Sequence, residues 1–144
     1  MKNLIVILIL GFGVVSGTFA QDNFENNPKV KEMRKEFYNK ELQFTPSEAT
    51  AFWPLFDQYQ TEERKLRKQY RAGAKIELMD DDEAKQHIQQ SFEFDKKKSA
   101  LKEKYFEKFS AVLPIRKVAM IEATERKFKI EVLKKVRENR ANRN

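Results

Sequence analysis

Glycine is nearly absent from this chain once the first twenty residues are passed: Gly73 stands alone between Gln21 and Asn144. Sheet folds turn back on themselves every few residues and need glycine to do so. Lys, Arg, Glu, Gln and Ala fill the space between Pro28, Pro46, Pro54 and Pro114, and these residues favour helix. Few turns and many helix formers predict an all-α fold of about four helices, laid out as long helical hairpins.

The prolines and caps place the helices. The first starts at Pro28, an N1 proline after Asn26 and Asn27, carries a stripe of Val30, Met33, Phe37 and Leu42, and stops at Gln43-Phe44. The second has the clearest start. In Thr45-Pro46-Ser47-Glu48 the threonine hydroxyl can accept from the Glu48 amide, and the Glu48 carboxylate can reach back to the Thr45 amide. Phe44 is placed to staple this entry. Ala49, Phe52, Trp53, Phe56, Tyr59, Leu66 and Tyr70 recur at spacings of three and four, which suit a helix face. Pro54 removes one backbone hydrogen bond inside this helix and predicts a kink near Ala51–Trp53. The helix should end between Gly73 and Leu78. The third begins at Asp80-Asp81-Asp82-Glu83 and is striped by Ile88, Phe92, Phe94, Leu101, Tyr105, Phe109 and Val112. The fourth runs from Pro114 to about Glu138 on Val118, Ile121, Phe128, Val132, Leu133 and Val136. Residues 139–144 form a polar, fraying tail.

The first twenty residues read differently. Lys2 precedes an apolar run from Leu4 to Val15, and Thr18-Phe19-Ala20 sets small residues at a cleavage site, the layout of a secretory signal peptide. The run is well short of the roughly 20 residues that span a bilayer. We therefore expect cleavage after Ala20, export to the periplasm, and one helical domain over 21–144. No cysteine follows the leader, which removes lipid attachment at a cysteine, disulfides and thiolate chemistry together. The formal net charge is +7, and the excess is local. Residues 21–112 are balanced, whereas 113–144 carry ten basic and four acidic side chains. A basic surface draws acidic partners. For an exported chain those are acidic or unfolded envelope proteins, or an anionic membrane surface, and not nucleic acid.

Long helices with narrow stripes cannot build a thick core, so an open hairpin or a homodimer that completes the core is expected. Each long stripe is also broken by a charge: Glu63, Lys98 and Glu125. These either pair between helices, for instance Lys98 with a glutamate, or line a binding surface. The fifteen aromatics after Ala20 either fill the core and a dimer interface or form an exposed apolar patch rimmed with cations. The run Lys134, Lys135, Arg137, Arg140, Arg143 either complements the helix C-terminus or contacts an anionic surface. The candidate partner-binding cations are Arg64, Arg67, Arg71, Arg126, Lys127, Lys134, Lys135 and Arg137.

Catalytic chemistry lacks a residue set. His87 is the lone histidine, read as a solvated surface residue beside Gln86 and Gln89. Asp80–Glu83 reads as a helix cap, with weak calcium or magnesium binding as the rival, since it lacks the spaced ligands and glycine of a calcium loop. No Gly-rich phosphate loop is present. No catalytic residue, cofactor or metal site is expected.

Phe44-Thr45-Pro46-Ser47-Glu48, with Ala49, Phe52, Trp53, Pro54 and Tyr59, resembles the LTXXQ-motif region of the Spy/CpxP-like periplasmic proteins. Phe52-Trp53-Pro54 with Leu113-Pro114, Lys117-Val118, Ala123, Glu125-Arg126-Lys127-Phe128-Lys129 and Val132-Leu133 is similar to the branch described as sensors of ECF-type sigma factors. Phe44 stands for the family's leucine and Glu48 for its glutamine, and the second copy of the motif near Leu113 is reduced to Leu-Pro-Ile-Arg-Lys. The resemblance implies a Spy-like open bundle of four long helices, an antiparallel dimer with a concave basic face, and export. It implies an ATP-independent chaperone for unfolded envelope proteins or a regulator of the envelope stress response. The alternative it implies is an accessory sensor bound to one membrane-bound signalling partner, of the sigma/anti-sigma or sensor-kinase kind. The ligands of the metal-sensing relatives are absent. Thr45, Pro46, Glu48, Trp53 and Pro54 are carried over as structural motif residues, since a helix cap already accounts for Thr45 and Glu48.

Overall fold

The computed structural model describes residues 27–70 and 75–141. The segment read as a leader, Arg71, Gly73 and Arg143 lie outside the described residues. Four α-helices follow one another: α1 (Pro28–Leu42), α2 (Pro46–Tyr70), α3 (Asp81–Ser110) and α4 (Ile115–Ala141), with one turn of 3₁₀ helix at Ile76–Leu78 before α3. No strand occurs among the described residues. The protein is all-α. No described helix is long and apolar enough to cross a membrane.

The caps form as the sequence implies. Asn27 Oδ1 accepts from the Lys29 amide at 2.9 Å, and Pro28 takes the first turn of α1. Gln43 ends that helix in the left-handed region at φ 49°. At α2 the Glu48 amide donates to Thr45 Oγ1 at 3.2 Å, and the Thr45 amide donates to Glu48 Oε2 at 2.8 Å. Asp80 and Glu83 repeat this reciprocal pair at α3, at 2.8 and 3.1 Å. Two of the four acids in that run are thus held by cap amides. No group of three or more His, Cys, Asp or Glu among the described residues is placed to hold a metal ion. The fourth helix begins one residue later than expected, because the Pro114 carbonyl accepts from the Lys117 and Val118 amides and so occupies the cap position. It also runs to Ala141, three residues past Glu138.

Several local expectations shift. The described part of α2 ends at Tyr70, residues 71–74 lie outside the described residues, and Pro54 sits inside the helix on its exposed side. Phe44 packs at the start of α2 against Phe52, with ring centres 4.9 Å apart. On α1 the fully buried stripe is Val30, Arg34, Tyr38 and Leu42. It is rotated by one residue, about 100°, from the Met33–Phe37 face, which is half-buried.

Pairing of the long helices decides the shape. α2 lies along α3, α1 lies along α4, and α3 meets α4 mainly near their connection. The main core sits at that closed end. Tyr38, Leu42, Phe52, Phe56, Tyr105, Phe109, Leu113, Val118 and Ile121 are buried there, with Phe44, Trp53, Tyr59 and Phe106 packed around them. Phe52 is ringed by Phe44, Trp53, Phe56 and Phe109 at 4.9–5.2 Å between centroids. These tilted and edge-on contacts add roughly 0.5–1.5 kcal/mol per pair to the area buried. Most aromatics therefore belong to the core, which answers the question left open by their number. A smaller cluster of Val30, Phe128 and Val132 joins α1 to α4 further along.

Candidate functional site

An open groove lies between the α2–α3 pair and α4. Its closed end, about 280 Å³, is walled by Tyr59 and Gln60 of α2, Lys102 and Phe106 of α3, and Glu122, Glu125 and Arg126 of α4. Its outer end, about 310 Å³, is walled by Glu63, Arg67 and Tyr70 of α2, His87, Phe94 and Lys98 of α3, and Lys129 of α4. Glu63, Lys98 and Lys129 border both ends, so the two form one channel. Arg67, Lys98, Lys102, Arg126 and Lys129 set five cations against the carboxylates of Glu63, Glu122 and Glu125.

Helical register explains why these side chains converge. At 100° per residue, His87, Phe94, Lys98, Lys102 and Tyr105 share one face of α3. The half of that face nearest the connection meets α2 and the core. The outer half has no α4 against it and is left lining the groove. Glu122, Arg126, Ile130, Leu133 and Arg137 likewise share one side of α4. Lys102 of α3 and Glu122 of α4 form an ion pair across the groove. Beyond it Ile88 and Phe92 on α3, and Ile130 and Leu133 on α4, are left exposed. Phe92 is 62% exposed, an unusual state for phenylalanine.

The floor is fixed by a polar network. Arg34, only 3% exposed, donates from Nη1 to Gln60 Oε1 at 3.0 Å and from Nη2 to Glu125 Oε1 at 3.4 Å. Its guanidinium lies 4.9 Å from the Phe128 ring centre. Tyr38 donates to the other Glu125 oxygen at 2.7 Å. Burial, and then the Glu125 charge, hold the Tyr38 phenol far above its ordinary range. Burial, then Glu63, push Tyr59 up to about 12. Both phenols on this floor stay neutral, and Tyr38 is the one that donates a hydrogen bond, to Glu125.

The stripe-breaking charges thus divide. Glu125 pairs between helices, but with Arg34 of α1 and not with Lys98. Glu63 pairs along its own helix with Arg67 at 3.4 Å. Lys98 is exposed and lies 6.0 Å from the Phe94 ring centre. His87 is half-buried in the groove wall, not solvated on the outside as expected, because the α3 face it shares with Phe94 turns toward α2. Ser91, one turn on, lines the same pocket. No hydrogen bond joins it to His87 among the described residues.

The candidate cations are scattered. Arg67 and Arg126 reach the groove. Arg64 is half-buried, and its Nη2 donates to Thr61 Oγ1 at 3.1 Å. Lys127 faces the other way and binds Glu41 of α1 at 2.7 Å. Lys135 lines a second cleft, between α1 and α4, with Met33, Phe37 and Glu131. Lys134 and Arg137 are exposed on α4, while Arg71 is outside the described residues. Sequence reasoning missed Lys102 and Lys129 as site residues, while Lys98 was among the charges it offered either as interhelical ion-pair partners or as part of a binding surface, and it lines the groove. The available signal was their shared register with Phe94 and with Arg126. Compared with family models, with curated proteins and with solved structures, the chain matches none.

Proposed function

We propose that this protein is a non-enzymatic periplasmic binding protein, chaperone-like or regulating the envelope stress response. It holds segments of unfolded or partner polypeptides in the groove between the α2–α3 pair and α4. The observation that carries this reading is the groove's make-up. Aromatic and cationic side chains share an open channel, with Tyr59, Tyr70, Phe94 and Phe106 set beside Arg67, Lys98, Lys102, Arg126 and Lys129. An extended chain can lay apolar side chains on these rings and acidic ones against the lysines, with no pocket specific enough to demand one sequence. The open shape supports a second part of the proposal, an antiparallel homodimer that shelters the outer halves of α3 and α4. The signal-peptide layout supports export, where such clients occur.

The test is light scattering from a model protein that aggregates on dilution from denaturant. Suppression at stoichiometric amounts, weakened by salt as screened charges require, is the expected result. Unchanged aggregation combined with capture of one stable envelope partner would favour the accessory-sensor reading instead.

A further inference from the structure

The outer end of the groove, lined by α2, α3 and α4, is built from complementary chemistry. Arg67, Lys98 and Lys129 surround a space of about 310 Å³ that holds a single carboxylate, Glu63. That carboxylate is engaged by Arg67 on the same helix. Lys129 is 54% exposed at its side chain and only 3.8 Å from Glu125, a long pair. Lys98 makes no ion pair among the described residues and has the Phe94 ring for a neighbour. Positive charge is therefore in excess at this spot, with two flexible ammonium groups on opposite walls.

The apolar half of the pocket is equally defined. Tyr70 and Phe94 meet at 5.4 Å between ring centres with planes tilted by 50°. Tyr70 cannot swing freely, since its oxygen accepts from Lys97 Nζ at 2.6 Å. Gln90 and Ser91 add neutral hydrogen-bonding groups at the edge. The volume is at the small end of ligand pockets, enough for one or two side chains and too small for a folded surface.

We infer that this pocket is an anchor for one acidic residue of the bound polypeptide, its carboxylate held between Lys98 and Lys129 and its apolar neighbour laid on the Tyr70–Phe94 pair. The inference rests on the groove-binding reading and sharpens it: clients are selected for an aspartate or glutamate next to an aromatic or large aliphatic residue. Charge-assisted hydrogen bonds supply the discrimination, being about twice as strong as neutral ones. The ring pair sets the spacing between the two halves of the signature.

Fluorescence anisotropy with the full chain and short labelled, unstructured peptides tests it. One peptide carries Glu-Phe and its match carries Gln-Phe. The Glu-Phe peptide should bind roughly tenfold more tightly, the equivalent of about 1.4 kcal/mol. The preference should collapse in a Lys98→Gln/Lys129→Gln double variant, whose substitutions are at exposed positions and leave the helical circular dichroism signal intact. In the wild type the same preference should shrink as salt is raised. Equal binding of the two peptides, or a preference that survives in the double variant, overturns the pocket while leaving the groove reading in place. Failure to bind any peptide, together with no suppression of aggregation, overturns the groove reading and this inference with it.

Discussion

The phenol of Tyr38 on α1 donates to Glu125 on α4 at 2.7 Å, beneath the floor of the groove, while Arg34 one turn earlier approaches the other oxygen of the same carboxylate. Two groups that sequence position separates by 87 residues are thereby locked together. Glu125→Ala leaves the Arg34 guanidinium buried without its counter-charge and should destabilise the fold by about 2 kcal/mol or more, as expected for a lost charged hydrogen bond. Removing Glu122, whose pair with Lys102 is solvent-exposed, should cost only about 0.5 kcal/mol. Urea unfolding of both variants measures the contrast, and equal losses would mean that the network under the groove is not a structural clamp.

Phe109 is fully buried among Phe52, Tyr59, Tyr105 and Phe106. Its truncation to alanine should cost about 3–5 kcal/mol, enough to remove much of the stability of a domain this size. Thermal and urea unfolding read this directly.

Lys98→Ala and Arg126→Ala act on the walls of the groove, where both side chains are exposed. Stability should change by no more than about 0.5 kcal/mol, whereas suppression of client aggregation should fall. A variant that loses stability and keeps its binding would contradict the assignment of these residues to the binding surface.

The α2 cap predicts an acid dependence. Glu48 is held below its ordinary value of 4.5, first by the Lys117 ammonium at 2.7 Å and then by the Thr45 amide. A carboxyl group depressed in the folded state stabilises fully above its ordinary pKa, and that contribution is lost as pH falls through the folded value. The stability gap between wild type and Glu48→Gln should therefore be constant at neutral pH and narrow below pH 4.5. Unfolding midpoints measured across that range provide the check.

At the other extreme, burial and then the Glu62 hydrogen bond push Tyr105 up to about 12, as burial and Glu63 do for Tyr59. The neutral phenols favour the fold below their ordinary value of 10.0, and this is lost as pH rises toward 12. Phenolate absorbance of the native protein should lag behind that of the denaturant-unfolded chain between those values.

What could be read from the sequence was local. Thr45–Glu48 and Asp80–Glu83 each bring cap and amide together within four residues, so their partners need no knowledge of the fold. Arg34 was not legible. A cation on a charged helix looks solvated, and only the α1–α4 pairing puts it under Glu125. The stripe break at Glu125 carried half of the information, that a buried carboxylate needs a cation, but it named Lys98 as the example. Whether a lysine on the α3 face meets a carboxylate or opens onto a channel depends on where α3 leaves α4, and periodicity is silent on that. For the same reason Arg67 and Arg126 could be nominated from the sequence, while Lys102 and Lys129 became visible only with the groove.

The aromatic cluster at the closed end makes the α2–α3 pair a lever. The α3 helix has 30 residues, is tied along its length to α2, and meets the core through Tyr105 and Phe109 near one end. At 1.5 Å per residue, a tilt of roughly 5° about Phe109 displaces Ile88 by about 3 Å. Small adjustments among rings that already meet at oblique angles can thus change the gape of the far end by the width of a methyl group or more. On the binding reading proposed above, polypeptide segments of differing bulk are admitted by rocking about one fulcrum, with the clasping side chains themselves left unaltered.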